Sequence, residues 1–141
     1  MAQQTIVASR ACHLNTTGLT PAILATNSVA VSLLDSESAD GIPTVGLAGA
    51  SDTIYGKLDV NATNWDVLNP SSVNANGDVT YPNMAAVIVD GIVEFAFTSP
   101  GTSNIGQGIQ GAASGAIAAV DDTTGKIIAY SGSTIWVDLR A

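Results

Sequence analysis

The sequence predicts an all-β fold: a small β-barrel or sandwich with an irregular N-terminal arm and a loop insertion around residues 61–83. Three observations lead there. Helix-forming Glu, Lys, Arg and Leu are scarce, Gly supplies 14 of the 141 residues, and Thr, Val and Ile dominate the apolar stretches. Strand-length segments bounded by turn residues recur at short spacing, as they do in sandwiches and barrels. The last apolar segment alternates, with Ile135, Val137 and Leu139 on one face and Trp136, Asp138 and Arg140 on the other.

Taken in order, residues 1–28 lack periodicity, and Gly18 and Pro21 break any long element. They are read as an arm that leaves a single β domain spanning 29–141. Ile6, Val7, Leu14, Leu19, Ile23 and Leu24 give this arm more apolar surface than a solvated tail exposes, so a neighbouring subunit or partner is expected to cover it. Strands are expected at Thr5–Ser9, Val29–Leu34, Thr44–Ala48, Thr53–Val60, Ala86–Val89, Ile92–Phe97, Gly115–Val120, Lys126–Tyr130 and Thr134–Leu139. Asp90-Gly91, between Val87-Ile88-Val89 and Ile92-Val93, is the strongest hairpin signal, and Asn76-Gly77 is a second tight turn. The turns Thr123-Thr124-Gly125 and Ser131-Gly132-Ser133 make Gly115 to Arg140 a three-stranded meander. The stretch from Asn61 to Asn83 is too polar for a strand and too long for a tight turn. It reads as a loop anchored by Trp65, which joins Ile6, Val7, Leu14, Leu19 and Ile23 as a candidate interface residue. Thr53–Asp59 and Thr134–Leu139 echo one another faintly, which reads either as two related halves or as the chance echo that similar hairpins produce.

Composition bounds the function. A chain of 141 residues suits one domain with about two thirds of its surface buried, enough for one sizeable core and not for two. Four basic residues (Arg10, Lys57, Lys126, Arg140) against twelve acidic ones, net charge −8, cannot build the Lys/Arg footprint that binds phosphate, so no nucleic-acid partner is expected. Only 11% of residues are charged while mean hydropathy is +0.32, the reverse of a disordered chain. Such a surface suits a protein that hides much of its outside against copies of itself or a partner, and equally a secreted β protein rich in small residues. The lone cysteine, Cys12, excludes an intramolecular disulfide and a multi-thiolate metal site. The start MAQQTIVASR has no basic n-region followed by an apolar stretch, so no secretory signal is expected. The uncharged runs Ala11 to Leu34 and Phe95 to Val120 are broken by Asn, Thr, Ser, Gly and Pro, so no membrane span is expected either.

Each chemical motif fails on context. Gly106-Gln107-Gly108-Ile109-Gln110-Gly111 has the letters of a dinucleotide loop, but Pro100 to Asn104 precede it where a strand is needed, and no helix pattern follows. Cys12-His13 places a thiol beside an imidazole, yet neighbours in an extended chain point to opposite faces and no second His exists. Asp35, Glu37 and Asp40 resemble a calcium loop in composition only, because Ala39 and Gly46 stand where ligands are required. Glu94 is an isolated carboxylate without an acid/base partner. No catalytic, cofactor-binding or metal-binding residue is assigned, and no enzyme is expected.

The C-terminal half carries a family likeness. Val87 to Phe95, Pro100 to Ile109, Gly115 to Val120 and Thr134 to Leu139 follow in the order of an apolar strand, a turn into a Gly-bearing segment, a Gly-led strand and a closing x-V-x-L strand. This arrangement resembles the small β-barrel decoration, or cement, proteins of tailed-phage heads. Thr44–Ala48 with Thr53–Val60 resembles a further strand pair of that kind, and the 61–83 insertion departs from it. The resemblance implies a structural protein without cofactors, forming homotrimers on the outer surface of the capsid and stabilising contacts between major capsid subunits. Two alternatives stand beside it: another phage or bacterial structural β module, from a fibre, tail or surface layer, and a small carbohydrate-binding β-sandwich using Trp65, Tyr81 and Trp136.

Overall fold

A computed structural model describes residues 4–34, 40–60, 73–79 and 84–140. The fold is all-β. Its strands are β1 (Thr5–Leu14), β2 (Ala30–Leu33), β3 (Thr44–Leu47), β4 (Gly56–Leu58), β5 (Met84–Ala96), β6 (Gly108–Gly111), β7 (Ile117–Val120), β8 (Lys126–Ser131) and β9 (Thr134–Asp138). One short helix, α1 (Pro21–Ala25), follows β1. Pro21 opens it with its φ already set, and the Thr20 hydroxyl accepts from the Ile23 N–H at 3.3 Å. Among the described residues no helix is long and apolar enough to cross a membrane.

Strand β5 organises the molecule. Along one edge it pairs antiparallel with β1, from Thr5↔Ile92 to His13↔Met84. Along the other edge lie first β4 (Lys57↔Ile88, Leu58↔Val87) and then β9 (Ile92↔Asp138 through Ala96↔Thr134). The order β1-β3-β2-β4-β5 returns to β1, so these five strands close into a small barrel, with β1 and β3 running parallel through His13↔Thr44 and Leu14↔Val45. Beyond the barrel β9 pairs with β8, while β6 and β7 form a separate hairpin. The two echoing segments thus both contribute a partner to the same edge of β5.

Three expectations are corrected. The expected arm over residues 1–28 is, across its described residues 4–28, instead the first barrel strand and its helical cap: Cys12, Leu14, Leu19 and Leu24 are buried, and β1 is bonded to β5 along its length. Local pattern marked a strand only at Thr5–Ser9; its continuation to Leu14 and its pairing with β5 depend on partners far away in sequence. The hairpin at Asp90-Gly91 does not form, because β5 runs straight through it. Gly91 takes φ +128 opposite a bulge in β1, and a Cβ there would collide with the Thr5 carbonyl and the Ile6 and Val7 backbone. The Gly115 to Arg140 meander is incomplete: β8 and β9 form the expected hairpin, but β7 pairs with β6.

The core is also divided. Cys12, Leu14, Leu19, Leu24, Val29, Val31, Val45, Leu58, Val79, Ala85 and Val87 form one cluster inside the barrel, the N-terminal lobe. Ile54, Ile88, Val93, Phe95, Ile109, Ile117, Ile127, Ile135, Val137 and Leu139 are the larger members of the other, the C-terminal lobe. Alternation along β5 sends Val87 to the first cluster and Ile88 to the second, so one strand serves both. Ile135, Val137 and Leu139 are buried as their alternation predicts. Of the 61–83 insertion, residues 73–79 form a small loop bridged at Val73↔Val79. There the Asn74 side chain accepts from the Asn76 and Asp78 N–H groups at 2.9 and 3.0 Å, and Gly77 takes φ +86. Trp65 and Tyr81 lie outside the described residues.

Candidate functional site

The candidate interface residues separate when placed on the fold. Leu14 and Leu19 are sealed in the N-terminal lobe, and Ile23 packs half-buried against it. Trp65 lies outside the described residues. Ile6 and Val7, at 45% and 61% exposure, remain on the surface of the first half of β1. That half has a second property. β1 pairs with β5 on one side along its length, but among the described residues its other side pairs with β3 only at His13 and Leu14. From Thr5 to Ala11 it is therefore an edge strand with outward backbone groups and neighbouring apolar side chains, the kind of template that recruits another chain. The bulge opposite Gly91 turns Val7 outward.

Sequence reasoning missed a second patch. Ile128 and Tyr130 are exposed on β8, an outer strand of the sheet, and Ile105 is exposed near the segment bonded to its start. The signal available was the alternation of Ile127-Ile128-Ala129-Tyr130, which puts Ile127 in the core and its neighbour outside.

Charge around these patches is sparse and largely engaged. Arg140 reaches Asp90 at 3.6 Å, and His13 Nε2 meets Asp40 Oδ2 at 3.0 Å across the β1–β3 end of the barrel. The Asp52 carboxylate, where two shallow clefts meet, accepts from the Gly49 N–H at 2.7 Å and the Ser32 hydroxyl at 3.4 Å, so it organises its own turn. Burial pushes the Cys12 thiol up, against the opposing pull of Arg10, which keeps it protonated and unreactive.

Lys57 is the exceptional cation. It is 1% exposed on β4, its Nζ donates to Gln4 Oε1 at 2.9 Å, and it lies 5.6 Å from the centre of the Phe95 ring. Burial lowers its ammonium to about 8, opposed by the Glu94 and Asp59 carboxylates.

The glycine-rich run has a structural use. Gly106 sits at φ +91 in a turn, while Gly108 and Gly111 are in β6, where a Cβ would strike Thr123 and the Gly49 carbonyl. Gln107 is tied to Asn104 at 3.0 Å and to Asp121 at 3.3 Å. Trp136, a stacking residue in the carbohydrate-binding alternative, is 3% exposed and offers no platform. Its indole N–H has no hydrogen-bond partner among the described residues. Comparison with known proteins returns no match to a family model, a curated protein or a solved structure.

Proposed function

We propose that this chain is a structural decoration protein that seats on the outer surface of a phage head as a homotrimer and stabilises contacts between major capsid subunits. The observation that carries the reading is the open edge of β1 with Ile6 and Val7 exposed beside it, in a chain with only four basic residues. An apolar strand edge on a weakly charged surface favours another protein over an anionic polymer. The likeness to phage decoration proteins in strand order supplies the specific partner.

Mechanistically, β1 extends a sheet of a neighbouring subunit by backbone hydrogen bonds while Ile6 and Val7 fill pockets beside it. A protein that binds the assembled shell and not its dissociated subunits stabilises the shell by mass action, and many bridging copies multiply the effect. The test is co-sedimentation of the purified chain with undecorated heads from the same genome, alongside its mass by light scattering. Saturable binding in multiples of three supports the reading, and failure to sediment with the heads removes it.

A further inference from the structure

We infer that Lys57 and Gln4 form an intramolecular isopeptide bond, a covalent staple between β4 and the residue that precedes β1. The inference does not depend on the capsid reading.

The two side chains are held in contact although they lie far apart in sequence. Lys57 Nζ donates to the Gln4 carboxamide oxygen at 2.9 Å, with the amine buried and the Phe95 ring beside it at 5.6 Å. The carbonyl carbon of Gln4 is about 1.2 Å from that oxygen. A small rotation of either side chain therefore brings Nζ to the roughly 3–3.5 Å from which an amine attacks. The oxygen also lies 3.4 Å from the Glu94 N–H, a donor placed where negative charge would develop on addition. The ionisable groups acting on the amine are Glu94 and Asp59, and its lowered ammonium gives a usable fraction of neutral nucleophile near neutral pH.

The step balances without another reagent. Neutral Lys57 adds to Cδ of Gln4, forming the Nζ–Cδ bond. One Nζ proton passes to the carboxamide nitrogen. The Cδ–Nε2 bond then breaks and ammonia leaves, so that a secondary amide remains with nothing oxidised or reduced. The product closes a covalent loop from residue 4 to residue 57. It fastens the end of β1 that has the fewest buried side chains to a strand on the opposite edge of β5.

Intact-mass spectrometry of the purified full chain, held for days at mildly alkaline pH, tests this when combined with peptide mapping. The expected result is a mass lower than the sequence mass by one ammonia, with a branched peptide joining Gln4 to Lys57. Gln4→Ala, at an exposed position, and Lys57→Arg should each keep the full sequence mass. If Lys57→Arg does not fold, the Gln4→Ala chain and the wild-type map still decide the matter. A wild-type chain that keeps its sequence mass overturns the inference. So does an ammonia loss that maps to Asn76-Gly77, where cyclisation of the asparagine releases the same mass, or one that persists in Gln4→Ala.

Discussion

The two lobes that share β5 are built on opposite principles. In the C-terminal lobe most pairings are local, β6 with β7 and β8 with β9, each hairpin closed over a few residues, and β9 alone reaches back to β5. In the N-terminal lobe the barrel closes only when β1 meets β5, some eighty residues later, and when β1 and β3 lie parallel. Local pairing costs little loop entropy, whereas non-local pairing must be offset by burial, and the sealed Cys12, Leu19, Val29, Val31 and Val45 supply it. Because β5 lines both clusters, neither lobe keeps its sheet if the other is lost.

That dependence sets the largest expected effects. Phe95→Ala in the C-terminal lobe should cost about 3–5 kcal/mol and Leu24→Ala in the N-terminal lobe about 2–5 kcal/mol. Both should move one urea transition, seen identically by fluorescence and far-UV circular dichroism, and two separate transitions would break the shared-strand picture. Next is Lys57, whose amine lies between the lobes. While it is not bonded to Gln4, the amine's folded value near 8 is below the ordinary lysine value of about 10.4. The unfolded chain then binds more protons between those two pH values. Stability should therefore rise with pH across that window, by on the order of 3 kcal/mol, and hold its lower value below it. Urea midpoints against pH measure this slope, and Lys57→Met should flatten it.

A smaller effect separates the strand that closes the barrel from a simple hairpin. Gly91→Ala should cost about 1–3 kcal/mol and release β1 from hydrogen-exchange protection, because its Cβ meets backbone. Gly132→Ala, at φ +58 with open space around it, should cost about 1 kcal/mol and leave β1 protected. Smallest is Thr20→Ala, which removes the cap of α1 and should cost about 1 kcal/mol or less, visible as faster exchange at Ile23 and its neighbours.

The same contrast explains what the sequence disclosed. Positions whose partners are near in sequence were legible: the alternation of Ile135, Val137 and Leu139, the Gly132 hairpin, and the turn at Asn76-Gly77. Positions decided by distant partners were not. Asp90-Gly91 carries the letters of a turn, yet with β1 alongside, the glycine serves close backbone approach. The apolar residues of 1–28 correctly signalled that something covers them, but the cover for Leu14, Leu19 and Leu24 is the chain's own core. Of the described candidate interface residues, Ile6 and Val7 stay exposed on the surface. The contact of Lys57 with Gln4 joins residues too far apart for any motif to mark, and β6 was hidden because its glycines read as loop.

Hydrogen exchange of the chain free and bound to undecorated phage heads tests the central claim most directly. New protection concentrated from Thr5 to Ala11, and weakened together with binding by Val7→Asp, is the predicted result. Binding that leaves those amides unchanged while protecting Ile128 to Ser131 on β8, or that survives Val7→Asp undiminished, would contradict it.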